Sequence, residues 1–302
     1  MRIGSGLLGA VLLFQVATVQ ASATLRVAYA GSMGVVMDRF LGPAFARQQH
    51  IEYQGIGRGA YGLAHLLVAH QVQADVFISI TPGPLDIVRR AGLVAEAVPV
   101  ASTQMVISYS PKSAYVKAFR QAAAGHLPWY DVLSKPGLRF GRTDPVVDPQ
   151  GRNIIFTLQL AARYYHRPGL LKDILGENLN PRQIFSEASL LSRLEAGQVD
   201  AASSYLSSAQ SRHLPYIRLP REINLGAPGL WASWYRHAQL NLRLADGQRM
   251  VLHPQPLVFY AAVLANSSHP ALARQFVRFL LSPAAQKVFR ENGYGGPEGE
   301  QP

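Results

Sequence analysis

The segment Ala30–Gly34 could bind an anion at a point where a strand leads into a helix. It follows the apolar run Leu25–Tyr29, which predicts a buried strand, and apolar residues then recur at the spacing of a helix face. Such a turn aims backbone N–H groups and the helix dipole at one point, where negative charge is stabilised. Gly31 allows close approach of the backbone, and Ser32 either donates its hydroxyl to a ligand or only caps the helix.

A second turn of this kind is predicted at residues 55–60, after the strand that we expect at Ile51–Tyr53. The stretch is similar to a dinucleotide-binding loop, but Ala60 stands at the last glycine position and no acid follows at the required distance. We therefore interpret residues 55–60 as another strand-to-helix anion turn. Arg58 in this turn either faces the ligand or is solvated.

Two carboxylates also stand directly before predicted helices. Asp148 lies in a segment with two Asp-Pro pairs, which predict a rigid exposed turn, and an apolar helix face follows it. Its alternative role is an N-cap carboxylate that forms a surface ion pair with Arg152. Glu187 precedes a second amphipathic helix in the same way.

No catalytic motif accompanies these residues. The sequence contains no H-E-x-x-H, G-x-S-x-G, Walker or S-x-x-K pattern, and its nine histidines lack metal-ligand spacing. With no cysteine there is neither a disulfide nor a cysteine metal site. We therefore expect a protein that is not an enzyme and has no cofactor.

Helix and strand signals alternate along the 302 residues, which predicts an α/β fold with mainly parallel sheets. Gly42-Pro43 should kink or divide the first helix. We expect a hairpin at residues 242–251, around Asp246-Gly247. Further strands are predicted at residues 75–80, 105–110, 138–141, 200–205 and 257–264, and the final helices at 270–281 and 283–293.

Residues 1–23 are predicted to be a secretory signal peptide. Arg2 is the only charged residue there, an apolar stretch follows, and Ala21-Ser22-Ala23 fits the rule for cleavage before Thr24. No later stretch reaches the ~18 uncharged apolar residues of a membrane span. Without a cysteine to carry a lipid anchor, we expect free diffusion in a compartment such as the periplasm. The net charge of +11 is spread over dispersed arginines, which argues against a nucleic-acid partner.

Together these segments resemble the periplasmic tungstate/molybdate-binding proteins of ABC transporters, especially their tungstate-type branch. The resemblance runs through nearly all of residues 24–302. It is carried by these segments: Ala30-Gly31-Ser32, Ala74-Asp75-Val76-Phe77, residues 144–152 from Asp144-Pro145 to Gly151-Arg152, Glu187, residues 194–200, Tyr205, residues 223–226, residues 276–282 and Asn292-Gly293-Tyr294. The terminal helix pair is common to many solute-binding proteins, whereas the combination of Asp148 and Glu187 is more specific.

This resemblance implies a type II solute-binding fold, in which two α/β lobes joined by a hinge close on a ligand in the cleft between them. We expect lobe 1 to comprise 24–103 and 254–302, and lobe 2 to comprise 104–253. The hinge would lie near Ser102–Met105 and His253–Pro256. The implied partners are a small oxyanion and an ABC permease in the inner membrane, and the receptor is expected to be a monomer.

The resemblance also implies the site residues. Ser32, with Gly31, corresponds to the first ligand serine of the family, and Tyr205 is carried over as a ligand-binding residue. Asp148 and Glu187 correspond to the carboxylates that complete a six-coordinate metal centre of the oxyanion. The second serine of the family is replaced by Ala60, with Arg58 just before it.

Carboxylates repel an ordinary tetrahedral oxyanion, so two acids in an anion site favour a ligand with a hard metal centre, or require that one acid be protonated. Receptors for sulfate, phosphate or an organic acid remain the alternative within the class. A secreted enzyme or a sensory module on the same two lobes is the alternative outside it.

Overall fold

The computed structural model describes residues 23–297, except for 244–246 and 248. Residues 1–22 of the predicted signal peptide and Asp246 of the predicted hairpin lie outside the described residues. The strands are β1 (Thr24–Ala30), β2 (Glu52–Arg58), β3 (Val76–Ile80), β4 (Val98–Ser102), β5 (Met105–Tyr109), β6 (Phe140–Gly141), β7 (Ala201–Tyr205), β8 (Tyr216–Arg218), β9 (Leu240–Arg243), β10 (Arg249–Leu252) and β11 (Val258–Val263).

Several helices follow a strand directly or after a short turn. The α-helices are α1 (Gly34–Val36), α2 (Gly42–Gln49), α3 (Ala60–Val68), α4 (Pro82–Arg90), α5 (Val116–Ala123), α6 (Trp129–Leu133), α7 (Pro149–Tyr164), α8 (Leu170–Leu175), α9 (Glu187–Ala196), α10 (Leu206–Ser211), α11 (Pro270–Leu280) and α12 (Pro283–Glu291). Short 3₁₀ turns occupy Gly31–Met33, Pro228–Leu230 and Tyr235–His237, and a π-helical turn occupies Met37–Leu41.

Two separate sheets define two lobes. The first lobe is built on a five-stranded sheet of order β2-β1-β3-β11-β4, and the second on a four-stranded sheet of order β6-β7-β5-β8. The central strands β3, β5 and β7 are buried at every residue. Strands that are buried at every position are covered on both faces, which is the arrangement of an α/β layer structure. The predicted fold class, a two-lobe α/β protein with a cleft, is confirmed.

The sheets are mixed, so the expectation of mainly parallel sheets is wrong. β1 runs parallel to β2 and β3, and β6 runs parallel to β7. In contrast, β11 is antiparallel to β3 and β4, and β5 is antiparallel to β7 and β8. The reason lies in the connections. β5 and β11 each follow a crossing of the chain between the two sheets, so each begins at the junction of the lobes. They therefore run against the strands that end there.

The chain crosses between the two sheets twice. The first crossing lies between Ser102 and Met105, and the second follows β10 and ends at Val258. The crossing segments are bonded to each other, since the amide of Thr103 donates to the carbonyl of Leu257 at 2.9 Å. These segments coincide with the positions at which we place the hinge.

The remaining element predictions are largely confirmed. The first helical region changes from a π-turn to α2 at Gly42-Pro43, where the proline lacks an N–H donor. β9 and β10 pair antiparallel as the predicted hairpin. Ser282 caps α12 by accepting a bond from the amide of Ala285 at 3.2 Å. None of the helices within the described ranges is both long and apolar enough to cross a membrane.

Candidate functional site

The turn after β1 holds Ser32 inside the junction of the lobes. Ser32 is buried within the 3₁₀ turn, whose N-cap is Ala30, and no side chain caps that turn. The interpretation of Ser32 as a helix cap is therefore wrong, because the residue lies within the turn rather than before it. Its carbonyl accepts hydrogen bonds from the hydroxyls of Tyr294, at 3.1 Å, and Ser208, at 3.4 Å. These contacts hold the turn in place through the Ser32 carbonyl, and the Ser32 hydroxyl does not cap the turn.

The second anion turn is shorter than predicted. β2 continues to Arg58, so Gly55 and Gly57 are strand residues. A Cβ atom on Gly57 would lie 2.7 Å from Cε2 of Tyr29, which shows that glycine makes room for the tyrosine ring. The anion turn expected over residues 55–60 is therefore reduced to Gly59, which precedes α3, and the buried Ala60.

Asp148 caps α7, as the alternative interpretation predicted. Its Oδ1 accepts a bond from the amide of Gln150 at 2.9 Å. Its Oδ2 faces the first lobe and would lie 3.3 Å from a Cβ atom on Gly59. The predicted surface ion pair is wrong: Arg152 is buried and donates instead to the carbonyls of Pro145, at 2.7 Å, and Val146, at 3.0 Å. These two bonds tie the turn before α7 to the first turn of that helix.

Glu187 is the first residue of α9, and Ser186 caps that helix. Its Oε2 would lie 2.5 Å from a Cβ atom on Gly31, so the carboxyl group packs against the glycine backbone of the first lobe. The residue as a whole is half-buried, but its Oε1 is buried and has no hydrogen-bond partner in the described part of the chain. A buried carboxylate oxygen without a partner is costly, which marks it as a candidate ligand contact.

Both carboxyl groups have raised pKa values. Burial raises the pKa of Asp148 from its ordinary value of 3.8 to about 6, although the hydrogen bond from the Gln150 amide and the charge of Arg152 act in the opposite direction. Burial, followed by the charge of Asp148, raises the pKa of Glu187 well above its usual range. Burial also raises the pKa of Tyr205, and the negative charges of Asp148 and Glu187 act in the same direction. The Tyr205 hydroxyl accepts a hydrogen bond from Asn153 at 3.0 Å. Two acids and a phenol therefore share one poorly solvated space.

Arg58 lies at the edge of this space. It is exposed, and it lines a cavity of about 540 Å³ together with Gly31, Gly59 and Glu187. Ser32, Ala60, Asp148 and Tyr205 are buried and do not line that cavity. The structure thus brings all seven predicted site residues to the lobe junction, with Arg58 on the outer wall.

Three further polar residues were missed by the sequence analysis. Asn153 holds the Tyr205 hydroxyl, Tyr294 holds the Ser32 carbonyl, and Thr143 lies near Asp148 and lowers its pKa. The Thr143 hydroxyl is buried and has no partner of good hydrogen-bond geometry among the residues described. A polar residue on the apolar face of α7 could have indicated Asn153. Tyr294 belongs to the segment Asn292-Gly293-Tyr294, which carries part of the resemblance, but no local pattern signals its contact with Ser32 at the other end of the chain.

Within the described ranges, no group of three or more histidine, cysteine, aspartate or glutamate side chains is close enough to hold a metal ion. Two carboxylates, helix N-termini and hydroxyls can instead complete the surroundings of a ligand that carries its own electrophilic centre. Two lobes that meet around such a site define the class of two-lobe binding proteins.

This chain belongs to the family described as bacterial extracellular solute-binding protein, which it matches over residues 25–295. It is 40% identical over 147 residues to a putative ABC transporter molybdenum-binding protein of Haloferax volcanii, a match that covers 49% of this chain and 45% of the relative. It is 28% identical over 212 residues to the molybdate/tungstate-binding protein WtpA of Pyrococcus abyssi, covering 64% of this chain and 59% of the relative.

A solved structure supports the same fold. The periplasmic molybdate-binding protein of Azotobacter vinelandii superposes with a TM-score of 0.60 at 17% identity, covering 89% of this chain and 98% of that one. The matches with the first curated relatives span at most about three fifths of those proteins (59%, 61% and 45%). Family and fold are thereby established.

Proposed function

We propose that this protein captures an oxyanion with a metal centre, tungstate or molybdate, between its lobes. It would then deliver the ligand to an ABC permease in the inner membrane. The observation that carries the proposal is the pair of buried carboxylates, Asp148 and Glu187, which face the backbone of Gly59 and Gly31 across the lobe junction. Relatives named for molybdate or tungstate binding support the same ligand.

Charge decides between kinds of oxyanion. A carboxylate about 4 Å from an anion is repelled by about 4 kcal/mol at an effective dielectric constant near 20. Sulfur does not add carboxylate ligands, so sulfate gains nothing to offset this repulsion. Molybdenum or tungsten can accept one oxygen from Asp148 and one from Glu187 in addition to its four oxo groups. The carboxylates would then be attractive contacts, and the metal centre would replace the protons that burial otherwise favours.

The remaining residues would bind the oxo groups with neutral donors. Gly31, Ser32, Gly59 and Ala60 lie at strand-to-helix junctions, where N–H groups are free to point at a ligand. The Tyr205 hydroxyl, which accepts its bond from Asn153, keeps its own proton for an oxo group. Ala60 contributes no hydroxyl. Arg58, on the outer wall, would attract the anion during approach.

The proposed setting follows from the same class of protein. The receptor would diffuse in the periplasm as a monomer, without a lipid anchor, after removal of residues 1–23. It would bind its ligand without catalysis and would have no nucleic-acid partner. A receptor for sulfate, phosphate or an organic acid is the alternative, and the carboxylate pair argues against the first two.

Conservative substitutions of the two acids test the proposal. Asp148→Asn and Glu187→Gln should each weaken tungstate and molybdate binding at least tenfold, while sulfate binding stays unchanged or improves. Titration calorimetry with all three anions measures this discrimination. Asp131→Asn is the matched control, because Asp131 is exposed and forms an ion pair with Arg167 at the surface. Tungstate affinity equal to wild type in both variants would refute the ligand assignment.

A further inference from the structure

The two lobes also contact each other beside the proposed oxyanion site. The first turn of α3, in the first lobe, meets the segment 145–152, which leads into α7 of the second lobe. The amide of Gly62 donates to the carbonyl of Val147 at 3.2 Å. That carbonyl would also lie 3.0 Å from a Cβ atom on Gly59. Glycine at position 59 therefore lets the two lobes approach with their backbones in contact.

The side chains of Arg152 and Tyr61 also contact each other in this region. The Cζ atom of Arg152 lies 3.5 Å from the centre of the Tyr61 ring. Arg152 is 6% exposed, and its bonds to the carbonyls of Pro145 and Val146 fix the plane of the guanidinium. A cation stacked on an aromatic face is attracted more strongly when both are removed from water.

This contact differs from the other arginine–aromatic contacts of the described residues. Four more such pairs are present, at longer distances between 5.1 and 5.5 Å. All four join residues of the second lobe to each other: Arg163 with Trp234, Arg167 with Tyr130, Arg193 with Phe185, and Arg218 with Tyr216. Only the Arg152–Tyr61 pair among them joins one lobe to the other.

We propose that the Arg152–Tyr61 stack is a latch that sets how long the closed, ligand-bound state lasts. The proposal rests on the proposed function, in which the lobes close on an oxyanion. Separation of the lobes removes Tyr61 from Arg152, so the stack stabilises the closed state and is absent from the open one. It therefore slows ligand release, whereas encounter of the ligand with open lobes does not depend on it. Because Arg152 and Asp148 share one turn, the latch also holds the Asp148 carboxyl against Gly59.

Removal of the aromatic ring tests the latch. Tyr61→Leu should speed tungstate release about tenfold, the effect expected for loss of a desolvated cation–aromatic contact, with an unchanged association rate. Tyr61→Phe keeps the ring and should release tungstate at nearly the wild-type rate. Stopped-flow fluorescence, with release started by excess molybdate, measures both rates. Arg193→Gln is the matched control, because it removes an arginine–aromatic contact inside one lobe.

A second measurement does not depend on the ligand. Without added anion the lobes exchange between open and closed states, and the stack favours the closed ones. Small-angle scattering under these conditions should therefore show a larger radius of gyration for Tyr61→Leu than for wild type and Arg193→Gln. A release rate equal to wild type in Tyr61→Leu would overturn the latch. An equal increase of the tungstate release rate in Tyr61→Phe and Tyr61→Leu would also overturn it, because the effect would then come from the hydroxyl and not from the ring. If wild type binds no oxyanion, the proposed function fails, and the scattering comparison alone decides the latch.

Discussion

The role assigned to Ser32 depends on its exact position in the turn. It lies within the 3₁₀ turn after β1 and does not cap it, while Tyr294 and Ser208 hold its carbonyl. The Ser32 hydroxyl can therefore donate a hydrogen bond to a ligand without giving up a helix-capping bond. In Asp148 the two carboxylate oxygens likewise have different roles: Oδ1 caps α7, and Oδ2 faces Gly59.

Ser32→Ala tests this assignment at the scale of the residue. The variant should weaken tungstate binding by about 1–3 kcal/mol, the value of a hydrogen bond to a charged group. Its melting temperature should stay close to that of wild type, because no cap is lost. Titration calorimetry and thermal unfolding measure the two effects. Unchanged affinity together with a lowered melting temperature would contradict the ligand role and assign the hydroxyl to stability.

Helix N-termini are the elements that build the site. Four N-termini face the lobe junction: those of the 3₁₀ turn after β1, of α3, of α7 and of α9. A glycine or a carboxylate residue stands at each of these starts. The positive ends of helices favour negative charge. In the absence of ligand, however, burial outweighs this effect at α7 and raises the pKa of its cap, Asp148, to about 6.

The stability of α7 and its surroundings should therefore fall as pH rises. Folded Asp148 keeps its proton to about pH 6, whereas in the unfolded chain it loses the proton near its ordinary value of 3.8. Its stabilising contribution is full below that lower pKa and is lost as pH rises through the folded pKa. Between about pH 4.5 and about pH 7.5 the loss amounts to about 2 kcal/mol.

Urea unfolding of the ligand-free protein at the two pH values measures this loss, and Asp148→Asn should reduce it. The substitution keeps an oxygen that can accept the bond from Gln150, so it removes the titration rather than the cap. A wild-type protein that becomes more stable at the higher pH, with Asp148→Asn following it, would show that another group dominates.

At the scale of the whole molecule, the two sheets and the two crossings suit a hinge motion. The proposed boundaries put 24–103 and 254–302 in one body and 104–253 in the other. Gly31 lies close to Glu187 and Gly59 lies close to Asp148, so the two proposed bodies lie against each other in the described conformation.

Small-angle scattering tests the closure. Tungstate or molybdate should reduce the radius of gyration of the wild-type protein, because the ligand favours the state in which both lobes contact it. Asp148→Asn at the same anion concentration should show a smaller reduction. An unchanged radius with every oxyanion, under conditions where calorimetry detects binding, would exclude a closing trap.

The sequence by itself determined most of what is local. Apolar periodicity located β1, β3, β5, β7 and β11 and the final helices, and the turns at Gly31 and Asp148 marked where strands lead into helices. Tertiary structure decided what depends on distant segments. Gly55 and Gly57 are strand residues because β2 pairs with β1 as far as Arg58, and a side chain at either position would meet Tyr29. Arg152 pairs with two backbone carbonyls and the Tyr61 ring instead of with Asp148. The two carboxylates lie near each other because the starts of α7 and α9 are adjacent within the second lobe, and no short-range pattern encodes that proximity.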